Sequence, residues 1–200
     1  MLENKRQNTN FFTSLPLRLW TVEDYNCMAE AGILLPDEKV ELIDGKIIRK
    51  ISPQGSSHAA AITRINRLLS LILGDNVLIR LQLPIRLNNY SEPEPDIAVV
   101  KSEIWDYEEA HPTFNDVYLI VEIADTTLKS DREVKGTVYA RSGIEDYWVL
   151  DIKNRQLYVY REPTEEGYQR EMILTENDSI IPLRFSDCMI KVAGMLRPIQ

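Results

Sequence analysis

The run Val117-Tyr-Leu-Ile-Val-Glu-Ile123 restricts the fold more than any other part of the chain. It is almost continuously apolar and lacks the alternation of a half-exposed strand. It therefore reads as a strand covered on both faces, as in sheets sandwiched between helices. A second such run, Asp146-Tyr-Trp-Val-Leu-Asp151, comes after it. Between them Ser130 and Glu133 have the spacing of a capping box, and Gly143 stands where a helix stop belongs, so the pattern predicts a helix over about 131–142. Strand, helix and strand in that order form a crossover unit whose two strands are parallel. Tyr147 and Trp148 could invite a base-stacking reading, as could Trp105 and Tyr107, but inside an apolar strand Tyr147 and Trp148 read as core.

The remaining elements are shorter. Residues 22–31, opened by Thr21 with Asp24 in the first turn and followed by Gly32, read as a helix. Val40 to Ile51 reads as a hairpin, because Asp44-Gly45 suits a two-residue type I′ turn. From His58 to Leu73, Ile62, Ile65, Leu69 and Ile72 recur at helical spacing, and Gly74 ends the pattern. Strands are expected at 77–81, 83–87 and 96–100, a helical turn over 104–110, and further strands near 155–161, 168–174 and the C-terminus. No Gly/Ser/Pro-rich stretch or charge run divides the 200 residues. One domain over 1–200 is expected, with residues 1–15 as a flexible or peripheral segment.

The composition, 44% hydrophobic and 27% charged, is that of a soluble protein. No apolar segment approaches the roughly 18 residues needed to cross a bilayer, and the N-terminus lacks a secretory pattern, which predicts no membrane association and a cytoplasmic location. Cys27 and Cys188 are unclustered and read as packing residues. The net charge of -8 argues against non-specific nucleic-acid binding through a basic surface. It leaves room for a nuclease, because bound divalent cations cancel local acidic charge.

Asp96 and Glu122 are lone carboxylates in runs otherwise fit for the inside of a sheet, where a charge is costly without a metal, a cation or hydrogen bonds. Asp96 begins its strand and Glu122 stands near the end of the next long one. Antiparallel neighbours would bring both to one end of the sheet. Oxygen ligands of this kind suit Mg²⁺ or Mn²⁺, and the carbonyl of Ile123 is a further ligand candidate. Lys135, one turn into the following helix, could meet the metal water or a scissile phosphate.

Each residue also has a structural reading. Pro95-Asp96 is a common turn or strand-start pair. Glu122 could instead form a buried salt bridge with Arg80, Arg86 or Lys135. Lys129, Arg132 and Lys135 step along the helix start at three-residue intervals, as either a phosphate-facing rail or a solvated face. Glu41 shares a hairpin face with Lys46 and Ile48 and is either a third acidic ligand or solvent-facing, the opposite face with Val40, Leu42 and Ile47 being more apolar. His58 lies on the apolar stripe of its helix, as a structural histidine or, near a helix N-terminus, one that meets an anion. Gln82 either orients a water or bonds to backbone, and His111, before Pro112, reads as loop.

The segments Glu41-Leu-Ile-Asp-Gly45, Pro93-Glu-Pro-Asp-Ile97, Leu119-Ile-Val-Glu-Ile123, Asp131-Arg-Glu-Val-Lys135, Tyr139-Ala-Arg-Ser-Gly143 and Tyr147-Trp-Val-Leu-Asp151, with His58, together resemble the Uma-two family of endonucleases. That family belongs to the PD-(D/E)XK, or restriction-endonuclease-like, superfamily, and the resemblance runs in order from about residue 20 to 165. It implies a restriction-endonuclease-like α/β (α+β) fold, a mixed central sheet flanked by helices, with a divalent-metal site at one end. By position, Asp96 matches the motif aspartate, Glu122 the second acid, Lys135 the lysine, Glu41 the upstream acid and His58 a recurrent histidine. The lysine expected two residues after Glu122 is replaced by Ala124, and Lys135 on the helix stands in its place. Ala124-Asp-Thr-Thr127, where many relatives read Leu-Ser-Pro-Ser, should alter only the loop. The expected function is Mg²⁺-dependent cleavage of DNA by a homodimer, with Asp96, Glu122, Glu41 and Lys135 as catalytic residues; the alternative is an inactive nuclease-fold protein that binds nucleic acid or protein.

Overall fold

The computed structural model describes residues 16–50, 55–103 and 105–199. The longer helical elements among the described residues are α1 (Val22–Glu30), α2 (Ser56–Leu73) and α3, which runs over 128–141 as α-helical Leu128–Ser130, a π segment Asp131–Lys135 and α-helical Gly136–Arg141; short 3₁₀ turns lie at Gly74–Asn76, Phe114–Asp116 and Val192–Met195. The strands are β1 (Val40–Ile43), β2 (Lys46–Arg49), β3 (Val77–Leu81), β4 (Ile97–Lys101), β5 (Val117–Ala124), β6 (Asp146–Asp151), β7 (Gln156–Thr164), β8 (Gly167–Thr175), β9 (Ser179–Ile180) and β10 (Ile190–Lys191). A central sheet has the order β3-β4-β5-β6-β7-β8, and β1-β2 and β9-β10 form two small antiparallel pairs. β5 and β6 are parallel, as the strand, helix, strand pattern predicts, and every other pairing in the central sheet is antiparallel.

Alternation along β4 and β5 gives the sheet two apolar faces. Ile97, Val99, Leu119, Val121 and Ile123 point beneath α2, where Ile62, Ile65, Leu69 and Leu73 cover them. Ala98, Val100, Ile120 and Ala124 point the other way, towards Val138, Tyr139 and Tyr147. Each of these larger side chains contributes about 1.5–3 kcal/mol by leaving water. Glu122 belongs to the second face, between Ile120 and Ala124, as the only charged member of that row. Tyr147 and Trp148 are fully buried, while Trp105 is exposed.

Several expectations change. Residues 83–87 form no strand: Gln82 has φ 53°, Pro84 lacks an N–H, and the segment is tied only by isolated contacts such as the Arg86 to Thr113 bridge. Residues 105–110 form turns rather than a helical turn, and Ile104 lies outside the described residues. The capping box at Ser130 is absent. The helix starts earlier, at Leu128, and the Ser130 hydroxyl donates to the Thr127 carbonyl at 2.8 Å. Capping boxes form instead between Thr21 and Asp24, at the start of α1, and between Thr113 and Asp116. Cys27 is exposed on α1, whose single buried residue is Val22, so it is no packing residue; Cys188 is partly buried against the α2-side core. The Asp44-Gly45 hairpin forms as expected, both turn residues having positive φ; its expected end at Ile51 and the segment 1–15 lie outside the described residues. No helix among the described residues is long and apolar enough to cross a membrane.

Candidate functional site

The antiparallel register of β4 and β5 pairs Ile97 with Val121, so Asp96 and Glu122 face each other at the next rung. The Asp96 N–H donates to Glu122 Oε2 at 3.4 Å, and the Ile123 N–H donates to Asp96 Oδ2 at 2.8 Å. The other Asp96 oxygen meets His58 Nε2 at 3.0 Å and accepts from Gln82 Nε2 at 3.1 Å. His58 arrives from the first turn of α2. Gln82, itself left-handed and the first residue after β3, turns inward, its N–H reaching the Pro95 and Asp96 carbonyls.

Lys135 and Tyr139, four residues apart on α3, both donate to Glu122 Oε1, at 2.9 and 3.0 Å. The π segment sets this up: the Gly136 N–H reaches back five residues to the Asp131 carbonyl, which also accepts from the Tyr147 hydroxyl at 2.9 Å. Such π turns are rare and recur at functional sites. Of the readings open for Glu122, the salt bridge is to Lys135, not to Arg80 or Arg86. Lys135 is neither solvated nor part of a rail. Lys129 pairs with Glu133 at the surface, and Arg132 reaches Tyr160 and Glu171, whereas Lys135 turns inward.

Glu41 does not face solvent. All four residues of β1 are buried, because its second face is covered as well, with Leu42 bonded to the Glu92 N–H at 2.8 Å. Glu41 Oε1 lies 3.4 Å from Lys135 Nζ, and Oε2 accepts from the Glu94 N–H at 3.2 Å. Thus Asp96, Glu122, Lys135, Glu41, His58, Gln82 and the backbone of Ile123 form one connected cluster. Its side chains line a cavity of about 250 Å³.

The cluster crowds three carboxyl groups, Asp96, Glu122 and Glu41, around Lys135 and His58. Burial pushes the Glu122 carboxyl up to about 8 against the opposing pull of Lys135, with Asp96, Asp131 and Glu41 adding to the rise. Burial would lower the Lys135 ammonium, but Glu122, Glu41 and Asp131 outweigh it and keep it protonated. Burial would likewise raise Asp96, yet the bond and charge of His58, with Ile123 and Gln82, hold it below the ordinary carboxylate range. The bond to Asp96 raises His58 against its own desolvation. Excess buried carboxylate is a condition that a divalent cation relieves, and two facing carboxylates with water suit Mg²⁺ or Mn²⁺. Among the described residues no group of three or more His, Cys, Asp or Glu side chains is arranged to hold a metal, so protein carboxylates would supply only part of its shell.

Tyr139 and Asp131 join the site without having stood out in the sequence. The signal was available, since both lie four residues from Lys135 and so share its helix face. Asp131 lines the cavity and accepts from the Thr127 hydroxyl at 2.6 Å. Glu94, paired with Lys50 at 2.8 Å, lies two residues before Asp96 on the same side of an extended Pro-Glu-Pro-Asp segment.

The chain is similar over 90% of its length to a crystal structure from Anabaena variabilis described as "a putative nuclease belonging to DUF820", covering 97% of that chain at 20% identity with a TM-score of 0.63. At that identity the likeness establishes the fold: a six-stranded mixed sheet with flanking helices. No curated protein matches the chain. The family model described as "Uma2: Putative restriction endonuclease" matches residues 22–193. That span takes in every residue of the carboxylate cluster and most of the chain, which therefore belongs to the Uma2 family.

Proposed function

We propose that the protein is a divalent-metal-dependent endonuclease that hydrolyses DNA phosphodiester bonds, with Mg²⁺ or Mn²⁺ as its cofactor. The observation that carries this reading is the facing of Asp96 and Glu122 across two buried strands, with the Lys135 ammonium 2.9 Å from Glu122. Asp96, Glu122 and the Ile123 carbonyl would hold the cation, which when bound supplies Lewis acidity and a water of lowered pKa. Lys135 is kept charged by its carboxylate neighbours, so its role is to place positive charge where the phosphoryl oxygens gain negative charge, rather than to remove a proton. Glu41 steadies that ammonium, and His58 and Gln82 orient the Asp96 carboxylate. Cutting both strands of a duplex calls for two such sites, which a homodimer supplies.

Wild-type, Asp96→Ala and Lys135→Ala proteins incubated with plasmid DNA, with and without Mg²⁺, test the assignment. Mg²⁺-dependent cleavage by wild type and a loss of about 100-fold or more in each variant are expected. Equal cleavage by all three rejects it. A second reading, a binding protein with a structural ion-pair network, draws on the saturation of Asp96 by three donors and the bridging of Glu122 and Glu41 by Lys135. Calorimetric titration with Mn²⁺ separates the two, because the network predicts no Asp96-dependent heat.

A further inference from the structure

Among the described residues, Arg80 is a buried cation without a carboxylate partner. It lies in β3 opposite Ala98, on the sheet face that carries the carboxylate cluster, and is 7% exposed. Its Nε has no hydrogen-bond partner among the described residues, and none of the described salt bridges includes it. Its contacts are both neutral: Nη2 lies 3.3 Å from His111 Nδ1, and Cζ lies 5.7 Å from the centre of the Tyr107 ring. A guanidinium cannot accept a hydrogen bond, so Nδ1 of His111 is the acceptor and the imidazole is uncharged. Buried guanidinium groups ordinarily meet a carboxylate or a phosphate, and an uncompensated one is strongly unfavourable.

The surroundings leave a route to it. Tyr107 and His111 belong to the loop between β4 and β5, which crosses the sheet edge; Tyr107 is fixed there by its hydroxyl bond to the Lys101 carbonyl at 2.8 Å, and His111 is exposed. Of the two residues in contact with the guanidinium, His111 is exposed and Tyr107 only partly buried. The carboxylate whose charge reaches His111, Glu94, is already paired with Lys50. Pairing with Ala98 makes Arg80 a diagonal neighbour of Asp96, a spacing of about 7–8 Å across a strand pair and somewhat less between Cβ atoms. The guanidinium does not line the carboxylate cavity, so it marks a separate position beside it.

We propose that Arg80, with His111 and Tyr107, forms a phosphate-binding site next to the carboxylate cavity. The Nε and Nη donors of the guanidinium present the planar fork that two phosphate oxygens accept. Only the source of that phosphate, a backbone phosphodiester or a free phosphate, rests on the nuclease reading.

The test begins with thermal denaturation of the full chain in phosphate-free buffer, titrated with sodium phosphate and, at matched ionic strength, with sodium chloride. Wild type should show a saturable rise in Tm with phosphate alone. Arg80→Met should start at a higher Tm, because it removes an unpaired buried charge, and should not respond; a purely structural arginine would give the opposite starting shift. Arg80→Lys should respond more weakly than wild type. His111→Ala, which leaves the guanidinium in place, keeps the titration informative should the Arg80 variants fold poorly, and should shift the phosphate midpoint. In the second arm, duplex DNA is bound in the presence of EDTA. A loss of about tenfold in Arg80→Met identifies the backbone as the source, and an unchanged DNA affinity in Arg80→Met, with the phosphate response present in wild type and lost in the variant, identifies a free phosphate. No phosphate-dependent shift in wild type overturns the site. A shift in a protein that fails to cleave DNA leaves the site standing and removes only the nuclease reading.

Discussion

His58 and Asp96 each hold the other in its charged form, which ties stability to pH at one residue pair. The folded protein raises His58 above its ordinary 6.5, so that contribution is complete below 6.5 and disappears as pH rises through the folded value. It lowers Asp96 below its ordinary 3.8, so that contribution is present above 3.8 and disappears as pH falls through the folded value. Both operate between roughly pH 4 and 6.5. Urea midpoints of wild type and His58→Gln should therefore differ most between roughly pH 4 and 6.5 and converge as pH rises through the folded value of His58; a constant gap would show that the pair is not the source. Tyr139 offers a second measurement, since its hydroxyl is one of two donors to Glu122 Oε1. Tyr139→Phe should cost about 1–3 kcal/mol, the penalty for leaving a buried acceptor short of a donor, and near-equal stability would deny that bond its weight. Asp96 and Glu122 were legible in the sequence because a carboxylate in an apolar run needs a physical reason. Glu41 was ambiguous, because the face it occupies in the hairpin looks solvated until the second covering of β1 is known.

At the level of elements, features set by local periodicity were readable, and features set by a neighbour were not. The α2 stripe, the Asp44-Gly45 hairpin and the parallel β5 and β6 pair all arise from spacing and turn chemistry. The π segment of α3 does not: it replaces one ordinary turn so that Lys135 and Tyr139 reach Glu122 while the Asp131 carbonyl meets Tyr147. The loss of a strand at 83–87 likewise depends on the inward turn of Gln82 towards Asp96. Two glycines give the same contrast in testable form. Gly45 has φ +70°, and an added Cβ would stand 2.6 Å from Leu19 Cβ, so Gly45→Ala should lose at least about 1–2 kcal/mol from the left-handed backbone alone. Gly136 is helical, and an added Cβ would meet the Asp131 carbonyl oxygen and the Tyr147 ring at 3.6 Å, ordinary contact. Gly136→Ala should thus stabilise by about 0.5–1 kcal/mol, and a loss in chemical denaturation would mean that the π segment needs the glycine.

For the molecule as a whole, the net charge of -8 and the carboxylate cavity belong to one argument. Six carboxyl groups, Glu41, Glu94, Asp96, Glu122, Asp125 and Asp131, line that cavity with Lys39, Arg49, Lys50, Lys135 and His58. Burial and the crowding of carboxyl groups oppose the ionisation of Glu122, pushed up to about 8, and that crowding would repel a phosphodiester. A divalent cation that binds only the folded arrangement corrects both, and its effect on stability is set by mass action. At a Mg²⁺ concentration ten times its dissociation constant, the gain is about 1.4 kcal/mol, or about 3–6 °C in Tm for a chain of this size. Wild type should show that rise with MgCl₂ but not with NaCl at equal ionic strength, since screening alone acts alike for both. Asp96→Ala should lose it, because one of the two proposed ligands is gone. Lys135→Ala should keep or increase it, because removing the ammonium leaves Glu122 and Glu41 without their shared cation. An equal Mg²⁺ response in Asp96→Ala would move the cation away from the β4 and β5 rung, and no response in any of the proteins would leave the carboxylates to the ion-pair network alone.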